Sequence, residues 1–70
     1  METAKLSISD SQDLDWLYDM YAVGHAMLIS YAPDALGQHT VMYGHGASKF
    51  ISHACWEAWQ LAKKRIASNG

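Results

Sequence analysis

The single proline, Pro33, lies near the middle of the 70-residue sequence and most limits what this chain can fold into. Proline lacks an amide hydrogen and disfavours helical geometry at the residue before it, Ala32. The residues from Pro33 to Gly37 read Pro-Asp-Ala-Leu-Gly, which is the composition of a turn, and residues 38–40 lead out of it. We therefore expect two helical segments joined by this turn.

The segment before the proline has a helix start followed by helical spacing. Ser9 and Gln12 have the spacing of a capping box, and Ser11 is an equally good cap. Beyond them apolar residues recur in steps of three and four, which predicts a helix that is apolar over more than the usual stripe of about 100°. The first stripe is Leu14, Leu17, Tyr21, Gly24, Leu28 and Tyr31, and the second is Trp16, Met20, Val23 and Met27.

The segment after the proline predicts a second helix that starts between residues 40 and 47. Thr40 can cap a helix at once, whereas Gly44 and Gly46 favour a start near Ala47, because each glycine inside a helix costs about 1 kcal/mol relative to alanine. From Ala47 to about Ala67 the pattern is helical. Its seam consists of Ala47, Ile51, Ala54, Ala58 and Leu61, and its polar face consists of Lys49, His53, Glu57, Gln60 and Lys64.

The expected fold is all-α: an antiparallel two-helix hairpin over residues 9–70, preceded by a flexible lead-in at residues 1–8. A chain of this length buries only about 60% of the surface that its unfolded form exposes, so its core is thin. One hairpin cannot cover both stripes of the first helix. We therefore expect a homodimer with a four-helix arrangement.

Composition and charge exclude several classes of protein. Half of the residues are apolar, which excludes intrinsic disorder, and the net charge of −2 does not supply the basic stripe that binds nucleic acid. The basic cluster Lys63, Lys64 and Arg65 falls where the second helix should end, and cations there offset the helix dipole. One cysteine excludes an internal disulfide, and no apolar run is long enough for a signal peptide or a membrane span. The sequence predicts a cytoplasmic protein.

The residues that could carry chemistry do not form a recognisable constellation. Four histidines are present, but His53 and Cys55 would point in different directions on a helix, and His45 lies two turns from His53. The histidines are therefore expected at the surface or at helix caps. Cys55 has no base beside it and is expected to be a buried structural thiol. We expect no catalytic residue, no metal and no cofactor.

Binding to another protein is the function that remains, and the aromatic residues favour it. Trp and Tyr dominate the energetics of protein interfaces. Trp and Met side chains are expected to fill an apolar groove of the target, while Asp15 and Asp19 set the orientation. The sequence does not decide which stripe meets a second copy and which meets the target. The predicted partner-binding or dimer surface is Trp16, Asp19, Met20, Val23, Met27, Trp56 and Trp59.

Two short motifs suggest a family. Residues 21–26 (Tyr-Ala-Val-Gly-His-Ala) and residues 55–59 (Cys-Trp-Glu-Ala-Trp) resemble the helical hairpins of small bacterial and phage regulators over roughly residues 16–66. The quorum-sensing antiactivators of the QslA type and their phage counterparts are similar in layout, and ribosome modulation factor is a weaker resemblance. The resemblance implies a homodimer that inhibits a bacterial protein by steric occlusion, in its narrowest form a phage-encoded antiactivator of a LuxR-type transcription factor. The alternative is a ribosome- or nucleic-acid-associated factor that uses Lys63, Lys64 and Arg65.

Overall fold

The chain combines two helices with a three-stranded antiparallel sheet, as seen in a computed structural model that describes residues 6–69. The prediction of an all-α helical hairpin with a four-helix dimer is therefore wrong, and the fold is α+β. The predicted lead-in lies largely outside the described residues, although Ile8 already belongs to the first helix. The elements in chain order are α1 (Ile8–Ala22), β1 (Leu28–Ile29), β2 (Gln38–Met42), β3 (Ser48–Ser52) and α2 (His53–Asn69).

Helix α1 is shorter than its apolar stripes predicted. Its cap is Ser7, whose Oγ accepts a hydrogen bond from the amide of Asp10 at 3.0 Å, so the predicted caps Ser9 and Ser11 lie inside the helix. The helix ends at Ala22 because Gly24 adopts a left-handed conformation with φ of +73°. Glycine is the residue that most readily takes this conformation after a helix. The predicted continuation of the stripes to Tyr31 is therefore wrong.

Strands β2 and β3 form a hairpin where the second helix was predicted to start. Thr40 lies opposite Phe50, and the connecting turn contains Gly46 at φ of +79°. In β2 burial alternates, since His39 and Val41 are buried while their neighbours are more exposed. Alternation with a period of two is the pattern of a strand, and β-branched residues favour it. A helix start between residues 40 and 47 is thus wrong, and α2 begins at His53.

The two helices pack on one face of the sheet, and the core lies between them and the strands. Of the predicted seam only Ile51 enters this core, and it does so from a strand; Leu61 is 52% exposed. Neither helix in residues 6–69 has the length and hydropathy needed to cross a membrane. The buried apolar residues are Leu17, Val41, Ile51, Cys55, Trp59 and Ala62.

Ser52 joins three elements at the point where β3 becomes α2. Its Oγ accepts a hydrogen bond from the amide of Cys55 at 3.0 Å, which caps α2, and donates one to Oδ1 of Asp10 in α1 at 2.7 Å. A second link between α1 and β3 is the ion pair of Lys49 with Asp13 at 3.2 Å. These contacts place α1 beside β3 and α2.

Candidate binding groove

Two adjoining clefts lie beside α2, and together we call them the binding groove. The first has a volume of about 430 Å³ and the second about 450 Å³. Tyr31, Trp56 and Gln60 line both clefts, so the clefts are neighbours along one trough. The first is also lined by Tyr21, His25, Met27, Ile29, Trp59 and Lys63, and the second by Glu57 and Leu61.

The aromatic rings of the groove are held in edge-to-face contacts. Trp59 is buried, and the rings of Tyr18 and Tyr21 approach it edge-on at centroid distances of 5.4 and 5.7 Å. Tyr31 approaches Trp56 in the same way at 5.3 Å, with the two rings 87° apart. Such pairs stabilise beyond the area that they bury. These contacts order the Trp56 and Trp59 side of the groove, whereas the Tyr31 side chain is 82% exposed.

His39 supports Trp56 from below. Its ring is fully buried and lies 4.5 Å from the Trp56 ring with an angle of 1° between the two planes. Its Nδ1 is 2.8 Å from the carbonyl oxygen of Ser30, and its Nε2 is 3.0 Å from Nδ1 of His53. The expectation that the histidines lie at the surface or at caps is therefore wrong for His39.

The hydrogen-bond partners of His39 fix the position of one proton. A carbonyl oxygen only accepts, so Nδ1 of His39 carries a hydrogen, and a second hydrogen is shared between Nε2 of His39 and Nδ1 of His53. The other nitrogen of His53 is 3.4 Å from Oε2 of Glu57, one helical turn further along α2. Ser30, His39, His53 and Glu57 thus form one polar chain from the sheet to the rim of the groove.

Cys55 lies in the core, and its thiol is unreactive near neutral pH. Burial, with a smaller contribution from the negative charges of Asp13 and Asp10, raises the pKa of its thiol to about 11. The thiol is the nucleophilic and metal-binding group only when it loses its proton, so it is inert near neutral pH. Among residues 6–69, no cluster of three or more His, Cys, Asp or Glu side chains could hold a metal ion.

The residues predicted to bind a partner lie in more than one region. Met27, Trp56 and Trp59 line the groove. Trp16 packs elsewhere, with the ring of Tyr43 edge-on at 5.0 Å and the ammonium of Lys49 5.4 Å from its centroid. The other three lie at or just beyond the second half of α1: Asp19 and Val23 are exposed, and Met20 is half-buried.

The predicted binding surface left out most of the groove residues. Those missed are Tyr31, Ile29, Gln60 and Lys63, and also Tyr21, His25, Glu57 and Leu61. Of the first four, only Tyr31 had a signal in the sequence. The position of Tyr31 just before Pro33 was a usable signal, because loop residues often carry binding functions. Gln60 and Lys63 lie about one turn apart on α2, and the sheet brings Ile29 to the same cleft. Comparisons with family models, with curated proteins and with solved structures found no match for this chain. The motif at residues 21–26, which suggested a helical hairpin, forms the end of α1 and the turn after it.

Proposed function

We propose that this protein is a small non-enzymatic binding protein whose groove holds an apolar segment of a partner protein. The observation that carries the proposal is the fixed position of Trp56, which stacks on buried His39 while Tyr31 touches its edge. An aromatic side chain that is immobilised before binding loses little entropy when a partner arrives. Rigid, partly exposed aromatics are also the residues on which interface energy concentrates.

The shape of the groove favours a protein segment with two apolar side chains. Each cleft is within the range of about 300–1,000 Å³ in which protein pockets accept ligands. Tyr31 and Trp56 border both clefts, so neighbouring anchor side chains of one segment can occupy the two at once. Such a protein acts by covering the segment that it binds, without a chemical step.

Charges at the rim favour a partner segment that carries a carboxylate. Lys63 lines the first cleft, whereas Glu57 lines the second. Residues 63–65 were expected to offset the helix dipole at the end of α2. The helix continues to Asn69 and has no basic residue in its last turn, so that expectation is wrong. Successive helical residues point about 100° apart, so Lys64 and Arg65 diverge from the groove. A carboxylate near Lys63 is thus the charge that complements the first cleft.

In its narrowest form the proposal is inhibition of a bacterial regulatory protein, such as a LuxR-type transcription factor, in the cytoplasm. This form rests on the sequence resemblance alone. The nucleic-acid alternative has a single groove-lining cation, Lys63, in its favour. Phosphate backbones are bound by several cations at once, so we favour the protein partner.

Selection from a random peptide display library against the full chain tests the proposal. We expect the enriched peptides to share two apolar side chains and a nearby Asp or Glu. Gln60→Trp fills the trough and should abolish their binding, measured by fluorescence anisotropy. Lys63→Glu should weaken binding of acidic peptides about 10-fold, which corresponds to about 1.4 kcal/mol.

Lys64→Glu is the matched control, since it makes the same charge change one residue away, outside the groove. It should leave peptide affinity within about twofold of the parent protein. The proposal is overturned if no peptide is enriched, or if the enriched peptides bind Gln60→Trp as tightly as the parent. Binding of an RNA duplex that is lost when residues 63–65 are changed to Gln would favour the alternative function instead.

A further inference from the structure

Strand β3 is a full edge strand whose outer backbone groups are unpaired within the described residues. The strand order β1-β2-β3 puts it at the side of the sheet away from β1. The amide of Tyr43 donates to the carbonyl of Ala47 at 3.1 Å, which identifies these two residues as a hydrogen-bonded pair of the hairpin. In an antiparallel ladder hydrogen-bonded pairs alternate, so Lys49 and Ile51 direct their backbone groups to β2. Ser48 and Phe50 therefore direct their N–H and C=O groups outwards.

Of the usual protections of an edge strand, β3 has only a charged residue, Lys49. The strand contains no proline and runs in unbroken register with β2 over its five residues. Its one charged residue, Lys49, points to the helix face, where Asp13 neutralises its ammonium at 3.2 Å. This ion pair offsets the charge that would otherwise oppose pairing with another strand. The edge is open to another strand.

The sequence of β3 is complementary to itself in the antiparallel direction. It reads Ser-Lys-Phe-Ile-Ser from residue 48 to residue 52. A second copy related by a two-fold axis at Phe50 has its Phe50 opposite Phe50 of the first copy. Ser48 of each copy then lies opposite Ser52 of the other, and Lys49 lies opposite Ile51. No like charges face each other, which would be destabilising in a strand pair. We propose that two copies of this chain pair through β3, so that their sheets join into one.

The open face of the sheet supports a second copy as the occupant. Leu28, Met42 and Phe50 lie on the face away from the helices and are 69%, 52% and 54% exposed. In the paired form the two Phe50 rings are direct cross-strand neighbours and shield one another. The two Phe50 residues also exchange N–H to C=O hydrogen bonds across the two-fold axis. No residue of β3 lines the groove, so this inference stands independently of the proposed function.

Sedimentation velocity of the full chain over micromolar to millimolar concentrations tests the pairing. The parent protein should dimerise reversibly. Phe50→Lys puts two ammonium groups opposite each other and should weaken dimerisation at least 10-fold, and Phe50→Glu should do the same. An equimolar mixture of these two variants should dimerise again, because opposite charges then meet. Circular dichroism should show that both variants keep the parent fold, since the side chain is half exposed.

Met42→Lys is the matched control, because Met42 has a similar exposed fraction on the same face but lies in the central strand. It should leave dimerisation unchanged. Amide exchange should be slow at Phe50 in the parent dimer and fast at residue 50 in Phe50→Glu. A parent protein that stays monomeric overturns the inference. So does equal weakening by Phe50→Lys and Met42→Lys, which indicates face-to-face stacking, or a mixture that fails to dimerise.

Discussion

Two titratable side chains with no exposure to solvent, His39 and Cys55, lie in this small core, and the fold accommodates them differently. Both ring nitrogens of His39 have hydrogen-bond partners, so its burial leaves no polar atom unsatisfied. Cys55 is accommodated by staying neutral, because burial and two nearby carboxylates oppose its ionisation. The first residue supports the groove, and the second fills the core beneath both helices.

The shifted pKa of Cys55 predicts a loss of stability at high pH. The thiol pKa is about 11 in the folded protein against 9.0 without the shift, so above about pH 9 the unfolded chain has lost more thiol protons than the folded one. Stability is therefore fully present below about pH 9 and falls as the pH rises towards 11. A shift of this size corresponds to at most about 2–3 kcal/mol.

Urea unfolding at about pH 8 and about pH 10.5 measures this loss. The relevant quantity is the difference between the parent and Cys55→Ala, because this difference isolates the contribution of the thiol. The variant should lose less free energy of unfolding over the same interval. Equal losses in the two proteins would show that the thiol ionises as easily in the folded state as in the unfolded one.

At the scale of elements, Ser52 is the residue on which three segments meet. It ends β3, caps α2 and donates a hydrogen bond to Asp10 in α1. Loss of a helix cap costs about 0.5–2 kcal/mol, and a hydrogen bond to a charged group contributes about 1.5–3 kcal/mol. This hydroxyl group therefore contributes to the position of α1 relative to α2, beside the contacts of Tyr18 and Tyr21 with Trp59.

Ser52→Ala should destabilise the protein by about 2 kcal/mol, measured as the free energy of unfolding in urea. Asp10→Asn should cost less, and a double-mutant cycle should give a coupling energy of about 1 kcal/mol, because the two side chains share one hydrogen bond. Ser9→Ala is the control. Ser9 was a predicted helix cap, but it lies exposed within α1 and its removal should change stability by less than about 0.5 kcal/mol. Additive effects of the Ser52 and Asp10 variants would contradict the link.

The elements also show which parts of the fold could be read from the sequence. The existence of α1 and of α2 was predictable, because each has a sustained run of helical spacing longer than ten residues. The sheet was not, since β1 is two residues long and the strands of the hairpin are five. Over such short runs, apolar residues spaced by three or four, as in a helix, cannot be distinguished from apolar residues spaced by two, as in a strand. Gly24, Gly44 and Gly46 were the better signals, and two of them have positive φ.

The groove was predictable only in part for the same reason. Trp56, Trp59 and Met27 were identified because large apolar residues favour interfaces wherever they lie. They were assigned to the same surface as Trp16 and Val23 because the first helix was predicted to extend beyond Val23. Once Gly24 ends that helix, residues 27–31 turn back along the sheet and bring Tyr31 onto Trp56. Contacts between distant segments of this kind follow from topology, which periodicity along one segment does not contain.

At the scale of the whole molecule, the core takes residues from both ends of the chain. Leu17 comes from α1, Val41 and Ile51 come from the hairpin, and Cys55 and Trp59 come from α2. Within residues 6–69, the cluster of buried residues draws on four of the five elements. A domain built in this way is expected to unfold in one cooperative step, because removing any layer exposes the rest.

A pair of leucine substitutions distinguishes this core from a two-helix seam. In a hairpin of two helices Leu17 and Leu61 would both lie in the apolar seam, and truncating either would cost a similar amount. In the α+β fold Leu17 has no exposure, whereas Leu61 is 52% exposed. Leu17→Ala should therefore cost about 3 kcal/mol, and Leu61→Ala should cost less than about 1 kcal/mol, measured by urea unfolding. Similar losses of stability for both variants would support a two-helix seam. A larger loss for Leu17→Ala would support the α+β fold, in which the sheet, and not the second helix alone, covers the inner side of α1.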